Sequence, residues 1–412
     1  MSHARGPEAG RRWSGPGMGE FVALMAAIMA VNALAIDVML PALPAIGDSL
    51  GVDTENRRQL VITAYLVGFG AAQIFYGPIS DRVGRKPVLV FGLLFFGLFA
   101  VISGIATSFT ALLVARLMQG IAAASTRVLV MSVVRDRFKG SAMAQVMSLV
   151  VIVFMLIPML APALGQLMLW LAGWRSIFIT LGIYGMGVLV WSIFRLPETL
   201  PRGRRVPLSF HTVVNGFVTT VRTRSSIGNS MALMLIMGGL FGYINSIQQI
   251  VFDVYGAPEM MAIVFALIAI PMAVTSYVNS RIVRRFGAKR ILLLALCGFL
   301  TMAVIHLAWS ALMDEGLWSF VALQCLTMAC FGLIGANLGA LAMDELGHIA
   351  GTASSIQGML TTIGGAVLGL IIGQAFDGTV TPFVLGLLVC GSLSLLFALW
   401  ANRGRAVEEP VA

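Results

Sequence analysis

Asp37 sits near the end of an otherwise apolar run, Phe21 to Leu40, whose only other polar member is Asn32. A carboxylate inside an apolar span of that length costs several kcal/mol, so it is either paired or functional. Two readings stay open: a group that exchanges protons or couples to a substrate, and one half of a structural ion pair with an arginine. Arg116 and Arg127 are the arginines in question, eleven residues apart in a second apolar segment. At 3.6 residues per turn they lie about 20° apart around a helix and share a face. Arg127 either holds an anionic ligand or reaches towards the end of its helix. Further polar groups are scattered through apolar runs: Asn32, Tyr65, Gln73, Tyr243, Asn245, Gln248, Gln249, Asn337 and Gln357. Asn32, Tyr65, Arg127, Tyr243, Asn245, Gln249 and Asn337 are the candidates for a ligand cavity, and Asn245 and Gln249 are one helical turn apart. Each could equally form an interhelical hydrogen bond, since polar residues also hold membrane helices together.

The elements that must position these groups are membrane helices. The 412 residues are 58% hydrophobic and 11% charged, with a mean hydropathy of +0.93, whereas soluble domains carry roughly 25% charged residues. Twelve apolar segments are long enough to span a hydrocarbon core of about 30 Å: 20–44, 59–79, 87–106, 110–133, 143–169, 175–195, 227–252, 259–281, 289–312, 317–342, 351–376 and 380–401. Helices are the expected spanning element, which makes this an all-α membrane protein. The longest polar connection, 196–226, carries Arg202, Arg204, Arg205, Arg222 and Arg224 around an amphipathic middle. The expected organisation is a tail 1–19, a six-helix bundle 20–195, a linker 196–226, a second six-helix bundle 227–402 and a tail 403–412. Of the 27 basic residues, 22 fall in the termini and alternate loops on one side. The positive-inside rule makes that side, and both termini, cytoplasmic. The Phe21–Leu40 run is too long for a signal-peptide core and no small-residue cleavage site follows it, so it reads as a retained helix.

The net charge of +9 comes from short basic clusters between apolar spans, which argues for membrane loops and against a nucleic-acid partner. Cys297, Cys325, Cys330 and Cys390 all lie in apolar spans without metal-ligand spacing. No nucleophile elbow is present, and none of the three lysines, Lys86, Lys139 and Lys289, follows the glycine frame of an ATP-binding loop. The sequence therefore points away from an enzyme, a metal site or a cofactor, and an ion gradient is the expected energy source. His306 is expected to pack within a peripheral span, and Asp253, Asp314 and Glu315 to be solvated in loops.

The two halves echo one another. Gly77-Pro-Ile-Ser-Asp81-Arg82-Val-Gly84-Arg85-Lys86 after the second span aligns with Ser280-Arg-Ile-Val-Arg284-Arg-Phe-Gly287-Ala-Lys289 after the eighth, at an offset of 203 residues. A duplicated six-helix unit is an arrangement of secondary transporters with a site between the halves. The first copy resembles the loop signature of the major facilitator superfamily. Ala115-Arg116-Leu-Met-Gln119-Gly120 is similar to the fourth-helix motif of its drug:proton antiporters, and Ile157-Pro-Met-Leu-Ala-Pro162-Ala-Leu-Gly165 to their fifth-helix motif, with Gln166 where a second glycine is usual. Ile36-Asp37-Val-Met-Leu-Pro41-Ala-Leu-Pro44, Gly173-Trp-Arg-Ser-Ile-Phe178 and Leu196-Pro-Glu-Thr199 resemble the bicyclomycin/chloramphenicol-resistance (Bcr/CflA) group.

This resemblance implies two six-helix bundles related by a pseudo-two-fold axis, working as a monomer in the bacterial inner membrane. It implies efflux of drugs or other amphiphilic small molecules against a proton gradient. An importer or exchanger of a specific metabolite is the alternative. It assigns proton coupling to Asp37 and Arg116. Gating falls to a loop containing Gly77, Asp81, Arg82, Gly84 and Arg85, with Asp81 facing the N-terminus of an eleventh helix near Gly351 and Thr352. Gly84 would supply a tight turn and Gly77 close helix packing.

Overall fold

The computed structural model describes residues 15–138, 140–205 and 210–403, and among them it contains helices and connections but no strand. Fourteen α-helices follow in order. The first six are α1 (Met18–Asp37), α2 (Leu43–Ser49), α3 (Leu60–Val83), α4 (Arg85–Gly104), α5 (Phe109–Arg137) and α6 (Gly140–Ala172). Then come α7 (Trp174–Arg195), α8 (Phe210–Arg222), α9 (Arg224–Gln249) and α10 (Met261–Phe286). The last four are α11 (Ala288–Leu312), α12 (Leu317–Met343), α13 (Ala350–Gln374) and α14 (Thr381–Ala401). Among the described residues eleven helical spans are long and apolar enough to cross a membrane. The 33-residue α6 is the twelfth; α2 continues the first span and α8 lies in the linker.

Prolines and glycines set where the spans break. The α1 helix ends at Asp37 because Pro41, four residues on, has no N–H to offer the Asp37 carbonyl. A short 3₁₀ turn (Leu40–Ala42) and α2 complete that span. Gly84 and Gly287, separated by the 203-residue repeat, both adopt positive φ (119° and 75°) between consecutive helices, a conformation that glycine reaches without the Cβ penalty. The expected loop after the second span is mostly helix: α3 runs on to Val83, so Gly77, Asp81 and Arg82 lie in its last turns, and Arg85 opens α4. Only Gly84 interrupts the helix.

Helix neighbours repeat with a shift of six spans. In the first bundle α3 packs on α5, α4 on α5 and α7, and α1 on α5, α6 and α7. In the second, α10 packs on α12, α11 on α12 and α14, and α9 on α12, α13 and α14. Two exchange-related seams, α3 on α13 and α6 on α10, join the bundles. Large apolar side chains such as Phe194, Leu171 and Leu312, each more than 70% exposed, point outward, as lipid contact requires.

Small residues let helix backbones approach. A Cβ at Gly120 would fall 2.0 Å from the Tyr65 carbonyl oxygen, and one at Gly68 would fall 2.1 Å from that of Leu117, so α3 and α5 touch main chain to main chain. Replacing Gly120 by valine should therefore destabilise the protein by about 1–3 kcal/mol or more. Thermal unfolding in detergent should show a lower midpoint, whereas Gly187→Ala, with nothing within 4 Å, should leave it unchanged.

Candidate functional site

The deepest charge in the first bundle is Arg116, fully buried on α5. Its Nη2 donates to the Ala35 carbonyl of α1 (2.9 Å), its Nε to the Val61 carbonyl of α3 (3.2 Å) and its Nη1 to Gln119 Oε1 (2.7 Å). The guanidinium lies over the Tyr65 ring at 4.4 Å, where the face of the ring attracts a cation. The Tyr65 hydroxyl in turn donates to Asn32 Oδ1 at 2.9 Å. Asn32, Tyr65 and Arg116 thus form one network across α1, α3 and α5.

Asp37, two residues beyond the carbonyl that Arg116 holds, is 5% exposed. It makes no ion pair or hydrogen bond among the described residues, so the arginine-paired reading of this carboxyl is not the arrangement found. Its surroundings are fixed from the other side too: a Cβ on Gly165 of α6 would lie 1.8 Å from the Val38 carbonyl oxygen. The first glycine of the fifth-helix motif therefore presses α6 onto the chain where α1 breaks. Across the bundle interface Tyr243 of α9 lies within electrostatic reach of Asp37. The Tyr243 ring stacks on Phe265 at 5.6 Å, and its buried hydroxyl has no hydrogen-bond partner.

Other candidates separate into different roles. Arg127 is exposed although it lies near the middle of α5, and so is Met131 one turn on. Both amide atoms of Asn245 are buried without a partner. Asn337 donates to Asn279 Oδ1 (2.8 Å) and to the Leu333 carbonyl, which ties α12 to α10 inside the second bundle. Gln73 of α3 donates to Thr362 Oγ1 of α13 at 3.1 Å across one seam.

Gln249 belongs to a carboxamide cluster that the sequence alone does not reveal. Its Nε2 donates to Asn56 Oδ1 (2.7 Å) and its Oε1 accepts from Gln59 Nε2 (2.5 Å). Asn56 Nδ2 donates to the Gln374 and Phe376 carbonyls, and Gln374 Nε2 returns to the Asn56 carbonyl and Gln59 Oε1. These bonds join the start of α3 to the ends of α9 and α13, closing one end of the molecule with neutral groups from both bundles. Asn56 and Gln59 stand in a short polar loop whose composition carries no sign of a partner about 190 or 318 residues away.

The opposite, basic end is held by charges. Arg85, 4% exposed, bonds Asp81 (2.7 Å), Asp136 at the end of α5 (3.1 Å) and Ser80 Oγ (2.5 Å). Glu198, from the Pro-Glu-Thr segment after α7, accepts from the backbone N–H groups of Arg85 and Lys86 (2.9 and 3.2 Å) and so caps α4. Asp81 is engaged by Arg85. The side chain beside Gly351 at the start of α13 is instead Arg135 of α5. Gly77 faces α13 near Ser355, and Arg82 is exposed. The expectation of a solvated Glu315 needs correction: its side chain is 6% exposed and accepts from fully buried His306 at 2.8 Å, because the connection after α11 folds back onto that helix.

This arrangement, two six-helix bundles with buried polar groups facing one another across the interface, defines a polytopic membrane transporter and not an enzyme. The sequence profile of the Major Facilitator Superfamily matches residues 25–369, and the chain belongs to that superfamily. It is 28% identical to a bicyclomycin resistance protein homolog of Haemophilus influenzae, over 91% of this chain and 94% of the relative. It is 30% identical to the uncharacterized MFS-type transporter YdgK of Bacillus subtilis (85% and 87% covered). The multidrug resistance protein MdtL of Klebsiella pneumoniae is 28% identical (95% and 98% covered). The resemblance to the Bcr/CflA group is thereby borne out. Among solved structures, a partially occluded inward-open conformation of the xylose transporter XylE from E. coli superposes with a TM-score of 0.73 at 11% identity, covering 95% of this chain and 98% of that one. The human organic anion transporter MFSD10 superposes at 0.65 and 19% identity (94% and 100% covered). At those identities the likeness is one of fold.

Removing the carboxamide cluster with Asn56→Ala and Gln249→Ala should open that end. The two substitutions remove four hydrogen bonds between the bundles, which at a net of about 0.5 kcal/mol or more each correspond to a shift of roughly thirtyfold or more between closed and open forms. In a variant whose four native cysteines are replaced, a cysteine at Ser246 should react with a membrane-impermeant maleimide at least about tenfold faster when both carboxamides are gone.

Proposed function

We propose that the chain is a proton-driven exporter of drugs or other amphiphilic small molecules in the bacterial inner membrane. It works by alternating access, with the bundles 20–195 and 227–402 rocking about the α3–α13 and α6–α10 seams and 196–226 as the connecting linker. The basic end is assigned to the cytoplasm, together with both termini, on the distribution of Lys and Arg. A single copy of the chain suffices, because the bundles face each other within one polypeptide. No cofactor is required: one proton crossing about 100 mV releases about 2.3 kcal/mol, enough for roughly a fortyfold gradient of a neutral solute.

The observation that carries this reading is Asp37: a buried, unpaired carboxyl at a helix break, within electrostatic reach of Tyr243 of the other bundle. Arg116 positions the break through the Ala35 carbonyl and does not neutralise the acid. Protonation removes the charge that bars Asp37 from a dry interface, and deprotonation restores the demand for water, so the proton and the rocking of the bundles are linked. In this reading Tyr243, Asn245 and Arg127 line the cavity between the bundles, and Asn32 and Tyr65 brace its wall. Gly77, Asp81, Arg82, Gly84 and Arg85 form the cytoplasmic gate, and Asn56, Gln59, Gln249 and Gln374 the external one.

The exposed Arg127, without an ion pair among the described residues, favours a second reading: a proton-coupled importer or exchanger of an anionic metabolite. The direction of flux under an imposed pH gradient separates the two.

Purified protein in detergent should release protons when a transported compound binds, and Asp37→Asn should bind it without release. Arg116→Lys should lose most transport, because an ammonium group cannot reproduce the forked donation to two backbone carbonyls. Ligand binding with no proton release in the wild type would remove Asp37 from the mechanism and move the anion exchanger to the front.

A further inference from the structure

The linker helix α8 has three distinct faces. Gly216 and Thr220 are buried. A Cβ on Gly216 would fall 2.5 Å from the Thr352 side chain at the start of α13, so this face seats directly on the gate end of that helix. Asn215 and Arg222 are exposed on a second, polar face. The third face is an apolar stripe of Val214, Phe217, Val218 and Val221, spaced i, i+3, i+4, i+7 and each 38–39% exposed. Such a stripe, about 100° wide, ordinarily packs against a core, yet here it is left uncovered.

The position of the helix identifies what covers it. Only Thr223 separates α8 from the first residue of α9, so α8 lies where a spanning helix enters the membrane. Arg224, opening α9, donates through Nε to the Trp400 carbonyl at the end of α14 (2.8 Å). It also lies beside the half-exposed Trp400 ring (5.4 Å), the Trp–Arg pairing typical of the headgroup layer. Charge agrees: residues 199–252 contain five arginines (Arg202, Arg204, Arg205, Arg222 and Arg224) and no Asp or Glu. An apolar stripe next to a wholly cationic flank is the composition of a helix that lies in an anionic leaflet.

We propose that α8 is a surface-lying clamp whose apolar stripe inserts into the leaflet at the basic end and whose arginines take anionic phospholipid headgroups. Through the Gly216–Thr352 contact, lipid engagement bears on α13, the helix that forms a bundle seam with α3. Membrane surface charge thereby regulates the gate at that end.

The test uses the full chain with its four native cysteines replaced and Val218→Cys carrying an environment-sensitive fluorophore. It is reconstituted in vesicles of phosphatidylcholine with increasing phosphatidylglycerol. Nitroxide-labelled lipid should quench the probe and aqueous iodide should not. Quenching by lipid and the rate of transport should rise together with phosphatidylglycerol, and Arg222→Gln should shift both curves to higher phosphatidylglycerol. A variant with Phe217→Ser and Val221→Ser that elutes and melts like the parent in detergent should lose both dependences. Free iodide quenching in every vesicle overturns the insertion. Insertion that ignores phosphatidylglycerol and Arg222→Gln overturns the anionic-lipid assignment. Insertion without any change in transport overturns the clamp.

Discussion

The guanidinium of Arg116 has no water to turn to, and the first bundle is arranged around satisfying it. Two of its hydrogen bonds end on main-chain carbonyls, Ala35 and Val61, and this choice matters. A carboxylate partner would have neutralised the charge but, were it Asp37, would have tied up that acid. Carbonyl partners satisfy the donors and leave Asp37 unengaged, and the Tyr65 face below the cation adds attraction without a counter-charge. The carbonyls are positioned by backbone contact: Gly68 and Gly120 bring α3 against α5, and Gly165 brings α6 against Val38. Pro41 then ends α1 at Asp37. The glycines, the proline and the arginine fix the place where a carboxyl group sits buried and unpaired.

The two ends of the molecule are held by different chemistry. At the basic end the ion pairs of Arg85 lie inside the first bundle, where they join α3, α4 and α5, and Glu198 fastens the following segment to the same corner. These contacts persist if the bundle moves as a unit. The hydrogen bonds described between bundles, at the other end and along α3–α13, join carboxamides, carbonyls and hydroxyls. Opening such a seam exposes neutral groups that water can serve in place of their partners. Separating a buried ion pair would strand two charges.

Charges in apolar sequence are conspicuous because lipid penalises them, which is why Asp37, Arg116 and Arg127 stand out from residue type and position alone. The spans and the six-helix repeat are legible for the same reason: an apolar run of sufficient length has few alternatives in a bilayer. Partners are not legible. Asn337 and Gln249 look alike in sequence, polar residues in apolar helices, yet one bonds Asn279 within a bundle and the other bonds Asn56 and Gln59 across the interface. Residue type sets the capacity for hydrogen bonding, and only the packing of helices chooses the partner. Hydropathy also misplaces the loop after the second span, since Ser80, Asp81 and Arg82 lower the local average while their backbone continues α3 to Val83. Glu315 reads as solvated because it follows Asp314 in a short polar turn, and nothing local indicates that its carboxylate folds back onto His306.

Magnitudes explain why neutral seams suit this fold. A net hydrogen bond contributes about 0.5–1.5 kcal/mol, whereas removing one partner of a buried ion pair costs about 3–5 kcal/mol. A proton crossing a typical potential supplies about 2.3 kcal/mol per 100 mV. A seam of carboxamides whose groups rehydrate on opening can therefore be reversed by a drive of that size, because the bonds lost to the partner bundle are largely regained from water. A seam of buried ion pairs would exceed it and trap the molecule in one state. The placement of formal charge fits this limit: the pairs of Arg85 and of Glu315 reinforce each bundle from within, the described hydrogen bonds at the other end and along the α3–α13 seam are neutral, and the buried acid Asp37 is one whose charge a proton can remove.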